Sequence, residues 1–353
     1  MEINITNTSF ADREAMDNLL ISRMAVSRDQ DYKDWLDNSP FGKSIAKGAF
    51  LGDKLVGYVK AVPVKMNDKG KEYFAYISTE AVVDQQYEDK DIYKSIAKEI
   101  YDEMRENGAN LRYEYPIFGA LIAQTNKLNA TYIEDISVYI KIFSFKKHLT
   151  GRMKNKFMAG IMGGIADSIN KLKIKPVKKE NSSFEYRDIS FFNIEHDEFW
   201  NLRKLYVPMS VDRCSEYLNW RFFMHPEREK YKAVGAYDNN ELVGYVIYKR
   251  EEKTLDKNNP VVLGHIMDLV GINDAVANSL LDEVERILEQ DADFLTFWSA
   301  RGGIYSHLGG FRGYRMTKVK IAMVGQVLNE DIDAEETLRS KNWYIMPIDS
   351  DIF

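Results

Sequence analysis

Glu80 is the first residue of this chain whose type and setting suggest chemistry: a carboxylate in an apolar, alternating run (73–83), either paired or available to take a proton. A polar turn, 86–91, follows it and leads into a segment with helical spacing, and successive N–H groups at a helix start favour an anion. Asp89 in that turn can cap the helix, and Lys90 can reach a negatively charged group. In the second half of the chain His265 and Asp268 stand three apart on a strand-like run, hence on opposite faces if the strand is regular. Five scattered histidines offer no metal-ligand spacing, and a single cysteine, Cys214, forms no intramolecular disulfide, so no metal is expected. Gly42-Lys43-Ser44 resembles the end of a phosphate loop, but Asp37 stands where the first glycine belongs and a strand follows instead of a helix.

The elements that must position these residues occur twice. Leu-Val-Gly-Tyr-Val is found at 55–59 and again at 242–246. Met24, Val26, Arg28, Asp31, Tyr32 and Trp35 recur as Met209, Val211, Arg213, Glu216, Tyr217 and Trp220 at a constant offset of 185. Residues 107–111 correspond to 290–294 at offset 183, and 128–130 to 308–310 at offset 180. Landmarks in one order over roughly 180 residues fit a domain built twice and not a solenoid unit. The repeated Arg, Tyr and Trp, spaced i, i+4 and i+7, share a helical face, which argues for packing with the arginine paired to a carboxylate or carbonyl. Arg221, which has Leu36 as its counterpart, invites a role in a site.

Periodicity predicts the order β-α-α-β-β-β-α-β-α-β for each copy. In the first copy the strands are 2–6, the hairpin 45–51 and 55–64, then 73–83, 111–115 and 136–145. Helix 91–106 carries Ile92, Ile96, Ile100 and Met104 every four residues, with Gly108 at its end, and a further helix spans 118–128. The second copy repeats this from 184–189 to 316–324, and a tail, 329–353, has an extended stretch at 343–347 expected to lie on a domain surface.

With 353 residues and 45% apolar content, the chain suits two domains. Its beginning reads as a strand and not as a signal peptide. The longest apolar stretch, 157–166, is half of the ~20 residues that a membrane span needs. A net charge of −6 disfavours a general nucleic-acid binder, although 146–179 holds ten Lys or Arg against one acid, about +9, leaving about −15 elsewhere. This basic stretch reads as an amphipathic connector, with contact at a membrane surface as the alternative. A cytoplasmic location is expected.

The predicted order resembles the GNAT acyltransferase superfamily, in which the fourth strand leads into a Q/R-x-x-G-x-G/A turn at a helix N-terminus. Here Gln86-Tyr87-Glu88-Asp89-Lys90-Asp91 stands in that turn, with the right spacing and both glycines replaced by aspartate. The resemblance implies that Val82, Val83, Gln86, Tyr87, Lys90, Asp91 and Ile92 bind acetyl-CoA or another acyl-CoA. It also implies that Glu80 deprotonates an ammonium acceptor and that backbone N–H near Val82 and Val83 polarises the thioester. Residues 305–311 resemble the family's Y-x-x-x-G-F segment, which implies Tyr305, or alternatively His307, as the acid for the departing thiolate. Arg213, Tyr217, Trp220, Arg221 and His225-Pro226, with a C-terminus holding Trp343 and Asp349-Ser350-Asp351, resemble tandem GNAT-type proteins associated with bacterial surface-polysaccharide synthesis.

The expected fold class is therefore α+β: two tandem GNAT-like domains, 1–146 and 184–353, each a mixed, mostly antiparallel sheet flanked by helices, joined by the basic connector 147–183. The expected activity is N-acyl transfer to a small-molecule amine such as an amino sugar or another cell-envelope precursor, without metal, nucleic acid or a membrane span. Two other readings stand beside it: a catalytically degenerate binding or scaffold protein, and a tandem-type transferase using a carrier other than coenzyme A.

Overall fold

The structure, a computed structural model, describes residues 3–143, 184–254, 260–300, 303, 305, 312–330 and 332–351. The first half runs β1 (Ile3–Asn7), α1 (Arg13–Met24), α2 (Gln30–Asp37), β2 (Ile45–Leu51), β3 (Lys54–Asp68), β4 (Lys71–Val83), α3 (Ile92–Glu106), β5 (Leu111–Glu114), α4 (Phe118–Lys127) and β6 (Thr131–Ile142). The second half runs β7 (Glu185–Ile189), α5 (Ile194–Arg203), α6 (Ser215–Leu218), a π-helical turn (Asn219–Phe223), β8 (Tyr231–Asp238), β9 (Glu241–Thr254), β10 (Pro260–Gly271), α7 (Asp274–Leu288), β11 (Phe294–Ser299) and β12 (Arg315–Val327). The last strand of the first half thus begins five residues before the expected 136. The connector 147–183 and the acid candidate His307 lie outside the described residues. No described helix is long and apolar enough to cross a membrane.

Local chemistry accounts for the main elements. Ile92, Ile96, Ile100 and Met104 are all buried along one side of α3, and Gly108, at φ 81°, turns the chain out of the helix. The β8–β9 hairpin turns on Asn239 and Asn240, both left-handed, as a tight hairpin requires. The glycine of each repeated pentapeptide has one explanation in both halves. A Cβ on Gly57 would stand 3.2 Å from the Val82 carbonyl oxygen and 3.3 Å from Ile96 of α3; on Gly244 it would stand 2.7 Å from the Val270 oxygen and from Val276 of α7. Each glycine lets a helix pack closely on the sheet.

Twelve strands form one mixed sheet in the order β1-β2-β3-β4-β5-β12-β6-β11-β10-β9-β8-β7, and the two-residue strand Ser210–Val211, paired with β3, is the thirteenth. Replacing each strand of the first half by the one six places later reproduces the order from the opposite end. The final strands are exchanged: β12 pairs with β5, and β6 pairs with β11. The sheet therefore continues across the expected boundary between 146 and 184, and neither half closes its own sheet.

Parallel pairing is brief in both halves. Strands β4 and β5 share the pairs Ala75↔Leu111, Tyr76↔Arg112 and Ile77↔Tyr113 and then part; β10 and β11 part after His265↔Thr296. Each parting strand also carries a bulge. The register skips Thr79 between Lys60↔Glu80 and Ala61↔Ser78, and Met267 between Ile247↔Asp268 and Tyr248↔Ile266. The second bulge corrects the expectation for His265 and Asp268: the extra residue returns both to one face. They nevertheless serve separate structural networks, His265 with Thr296 and Glu251, Asp268 with Arg213 and Tyr245.

The halves meet on their repeated tryptophans. Trp35 and Trp220 stack with centroids 4.7 Å apart, and each indole N–H donates to the other's carbonyl, at 2.8 and 3.1 Å. The tail overturns its sequence reading. Trp343, Tyr344, Ile345 and Met346 are buried instead of lying on a surface, and Met209 pairs with this stretch through Asn342 O and Tyr344 N. Apolar side chains of this size are stable there because burial removes them from water.

Candidate active site

Where β4 leaves β5, a two-lobed cavity opens on the first half. A polar lobe of about 1000 Å³ and an aromatic lobe of about 570 Å³, both continuous with solvent, share four lining residues: Arg28, Tyr32, Leu36 and Glu80. Glu80 follows the bulge at Thr79, which aims its carboxylate into the junction, and it accepts a hydrogen bond from the Tyr58 hydroxyl at 3.0 Å. Tyr58 is buried, and burial together with the neighbouring Glu80 charge raises its pKa well above the phenol range. It therefore remains a donor at any physiological pH.

Tyr32 stands at the centre of the charged groups. Burial raises its pKa, while Arg28 and Arg221 lower it and Glu80 and Asp351 raise it further, so all four groups act on one phenol. The Arg28 guanidinium lies 4.2 Å from the Tyr32 ring centroid, an arrangement that holds a cation without a carboxylate partner. The aromatic lobe is completed from the second half by Tyr217, Trp220 and Arg221, and from the tail by Ile348, Ser350 and Asp351. In the polar lobe Asp37 is held by Lys60 at 2.5 Å and Arg13 at 2.6 Å, and these partners depress its pKa against the effect of burial.

The turn after β4 is a 3₁₀ helix, Gln85–Lys90, capped by Asp84, whose carboxylate accepts from Gln86 N at 3.1 Å. Val82 is buried opposite Tyr58 and Val83 lies opposite Gly57. Gln86 is exposed, and Tyr87 is half-buried with Lys54 Nζ 5.2 Å from its ring centroid. Asp91 adopts φ 53°, ψ 20°, the left-handed conformation in which glycine is at ease, and Ile92 opens α3 buried against the sheet. The Asp91 side chain does not cap α3 and the first turn has no acid, so the leading N–H groups of α3 form an anion-attracting end. Of the acids around them, Asp84 pairs with Lys54 at 3.0 Å, Glu88 with Arg23, and Asp91 with Lys127 at 2.7 Å, while the side chains of Asp89 and Lys90 lie outside what the structure describes.

Glu80 and the 82–92 strand-and-turn segment are thus neighbours on one strand-turn-helix unit, whereas Tyr305 is not with them. It is buried in the second half, where its hydroxyl accepts from Gly271 N at 2.9 Å and its ring meets Tyr344 edge-on at 5.8 Å. It lines neither lobe. Sequence reading missed Tyr58, Arg28, Tyr32 and Asp351. For Tyr58 the available signal was its place in the repeated pentapeptide; Asp351 stood in the Asp349-Ser350-Asp351 run of the resemblance, but chain position does not reveal where a tail docks.

Residues 3–126 match the family described as acetyltransferase (GNAT) domain. No curated protein matches the sequence. Among solved structures, a GCN5-related N-acetyltransferase from Anabaena variabilis is similar over 93% of this chain and 73% of its own, with 11% identity and a TM-score of 0.65. A probable N-acyltransferase from Enterococcus faecalis covers the same shares at 13% identity and a TM-score of 0.62. Saccharomyces cerevisiae N-myristoyltransferase with bound myristoyl-CoA is similar over 98% of this chain and 85% of its own, at 12% identity and a TM-score of 0.59. At these identities the likeness is one of fold.

Proposed function

We propose that this chain, whose residues 3–126 match the acetyltransferase (GNAT) domain family, transfers an acyl group from acyl-CoA to a small amine in the cleft beside β4. In this reading the chain is two GNAT-like halves, of which the first holds the working site. The acyl-CoA pyrophosphate meets the start of α3, held by backbone N–H of the turn with Gln86, Tyr87, Lys90, Asp91 and Ile92 around it. The thioester lies along Val82 and Val83 where β4 has no parallel partner. The amine reaches Glu80 as an ammonium, gives up a proton, and attacks the carbonyl: a C–N bond forms, the C–S bond breaks, and the thiolate departs. The observation that carries the reading is the carboxylate of Glu80, oriented by Tyr58 at the junction of two open lobes, on the strand that leads into the α3 turn.

An amino sugar or another cell-envelope precursor is the acceptor class favoured by the sequence resemblance, and acetyl is the simplest acyl group. Asp91 favours a second reading, because a carboxylate beside the phosphate position opposes coenzyme A: a degenerate binding module, or a transferase with a different carrier. Calorimetry with acetyl-CoA separates them. The first reading expects micromolar binding that weakens at least tenfold in Gln86→Ala or Lys90→Ala; absence of binding removes it.

A further inference from the structure

The tail is fastened so that its end enters the other half's cleft. Asp349 is buried and accepts from Val211 N at 2.8 Å and Met346 N at 2.9 Å, while Arg213 clasps both its oxygens at 2.9 and 2.7 Å. Arg221 Nη2 donates to Ser350 O at 3.1 Å, and Ser350 Oγ to Pro347 O at 2.9 Å. These bonds fix the backbone immediately before Asp351, which is mostly buried and shares the aromatic lobe with Glu80, Thr79 and Tyr32. The charged groups that face it come from three elements: Glu114 of β5, Glu80 of β4 and Arg221 of the π-helical turn. Tyr32 of α2 and Tyr115 after β5 feel its charge as well.

We propose that Asp351 is a second catalytic carboxylate, which together with Glu80 receives the acceptor's ammonium and its proton, so that the C-terminal segment completes the first half's active site. This rests on the reading above and assigns the acceptor as a primary ammonium on an apolar body, since Tyr32, Trp35 and Trp220 line the lobe around the two carboxylates. Glu80 has one oxygen engaged by Tyr58 and anchors the cation. Asp351 has its pKa raised to about 7, first by burial and then by Glu114 and Glu80 against Arg221, which suits a proton acceptor near neutrality. The N–H bond breaks toward the carboxylate pair, the amine attacks, and the proton leaves with the thiolate or to water.

The test uses the full chain, with acetyl-CoA as donor and a panel of primary amines with apolar or aromatic bodies as acceptors. Thiol release is followed from pH 5.5 to 9. The expected result is that Asp351→Asn lowers amine-dependent release at least tenfold, leaves acetyl-CoA affinity unchanged, and removes a rise in rate centred near pH 7, while Asp351→Glu restores part of it. Carboxyl ¹³C NMR provides a readout without turnover. The signal lost in Asp351→Asn titrates near 7 in the parent and at lower pH in Glu80→Gln, because removing one charge eases ionisation of the other. Wild-type binding and turnover with an unaltered profile in Asp351→Asn, or an Asp351 signal that ignores Glu80→Gln, overturns this inference and leaves the transferase reading standing. Failure of the parent to bind acetyl-CoA overturns that reading itself.

Discussion

In the first half the tyrosine of the repeated pentapeptide, Tyr58, donates to the carboxylate after a bulge, Glu80; in the second half Tyr245 donates to Asp268 at 2.7 Å in the corresponding place. The surroundings of the two pairs are opposite. Glu80 faces open cavity, with Arg28 drawn aside onto the Tyr32 ring. Asp268 faces Arg213, the counterpart of Arg28, which lies 3.4 Å away and closes the position from within, with Asp349 on its other side at 2.7 Å. The parted strand β10 is filled as well: the Tyr344 hydroxyl donates to Leu269 O and Tyr305 takes up Gly271 N. One scaffold thus holds a tyrosine–carboxylate pair once facing open cavity and once inside a structural clamp. The difference lies in whether the arginine is free of the carboxylate or committed to it; Arg28 and Arg213 both stand just before the second helix of their half, not on its face as the spacing predicts.

That contrast breaks if the two carboxylate sites respond alike to mutation. Glu80→Gln is expected to lower amine-dependent thiol release by roughly 100- to 10,000-fold while changing unfolding stability by less than about 1 kcal/mol, since Gln keeps a hydrogen bond with Tyr58. Arg213→Met should do the reverse to stability. It leaves Asp268 and Asp349 buried and uncompensated, a loss of about 3–5 kcal/mol by denaturant unfolding. In the parent Arg213 remains charged in spite of its burial, because those two carboxylates raise its pKa. If Arg213→Met is tolerated as easily as Glu80→Gln, the second half is not clamped in this way.

The seam between the halves gives a smaller effect of the same kind. Because Trp35 and Trp220 stack and exchange N–H···O bonds, the double-mutant cycle Trp35→Phe, Trp220→Phe should show a coupling of about 0.5–1.5 kcal/mol in unfolding free energy. Additive losses would mean that the halves unfold without regard to each other, against a sheet in which each lends its last strand to its neighbour.

Much of this was legible in the sequence for stated reasons. The pentapeptide repeat carries a glycine that helix packing demands and a tyrosine that bonds a carboxylate, so it stands in both halves even though the surroundings of the carboxylates differ. The helix after the turn was legible because Ile92, Ile96, Ile100 and Met104 report a buried stripe. Arg221, whose counterpart is Leu36, stands out in the repeat and lines the aromatic lobe. Three features were hidden. A bulge shifts facing by one residue without a compositional mark, so His265 and Asp268 were placed on opposite sides. Strand exchange is invisible because the pattern of a strand does not name its partner. The tail reads as superficial because 343–347 looks like an extended stretch without a counterpart in the first half, whereas the Met209 pairing and the buried Arg213–Asp349 pair show where it is fastened.

Asp91 offers the finest probe of the comparison, because it sits at the turn to which the proposed reading assigns the donor's phosphates. Its left-handed backbone keeps the shape of a glycine turn, and its carboxylate, with its pKa lowered by Lys127, stays ionised at neutral pH. Shape and charge therefore act against each other: the first presents the α3 N–H groups to a phosphate, and the second repels it. Asp91→Gly keeps the shape and removes the charge, so acetyl-CoA should bind about three- to tenfold more tightly by calorimetry at low salt, with the gain shrinking as salt is added. Asp91→Asn, which also tolerates the left-handed region, should give a similar gain. Weaker binding in both would mean that the Asp91–Lys127 pair holds the turn in place and that its order, more than its charge, governs entry of the donor.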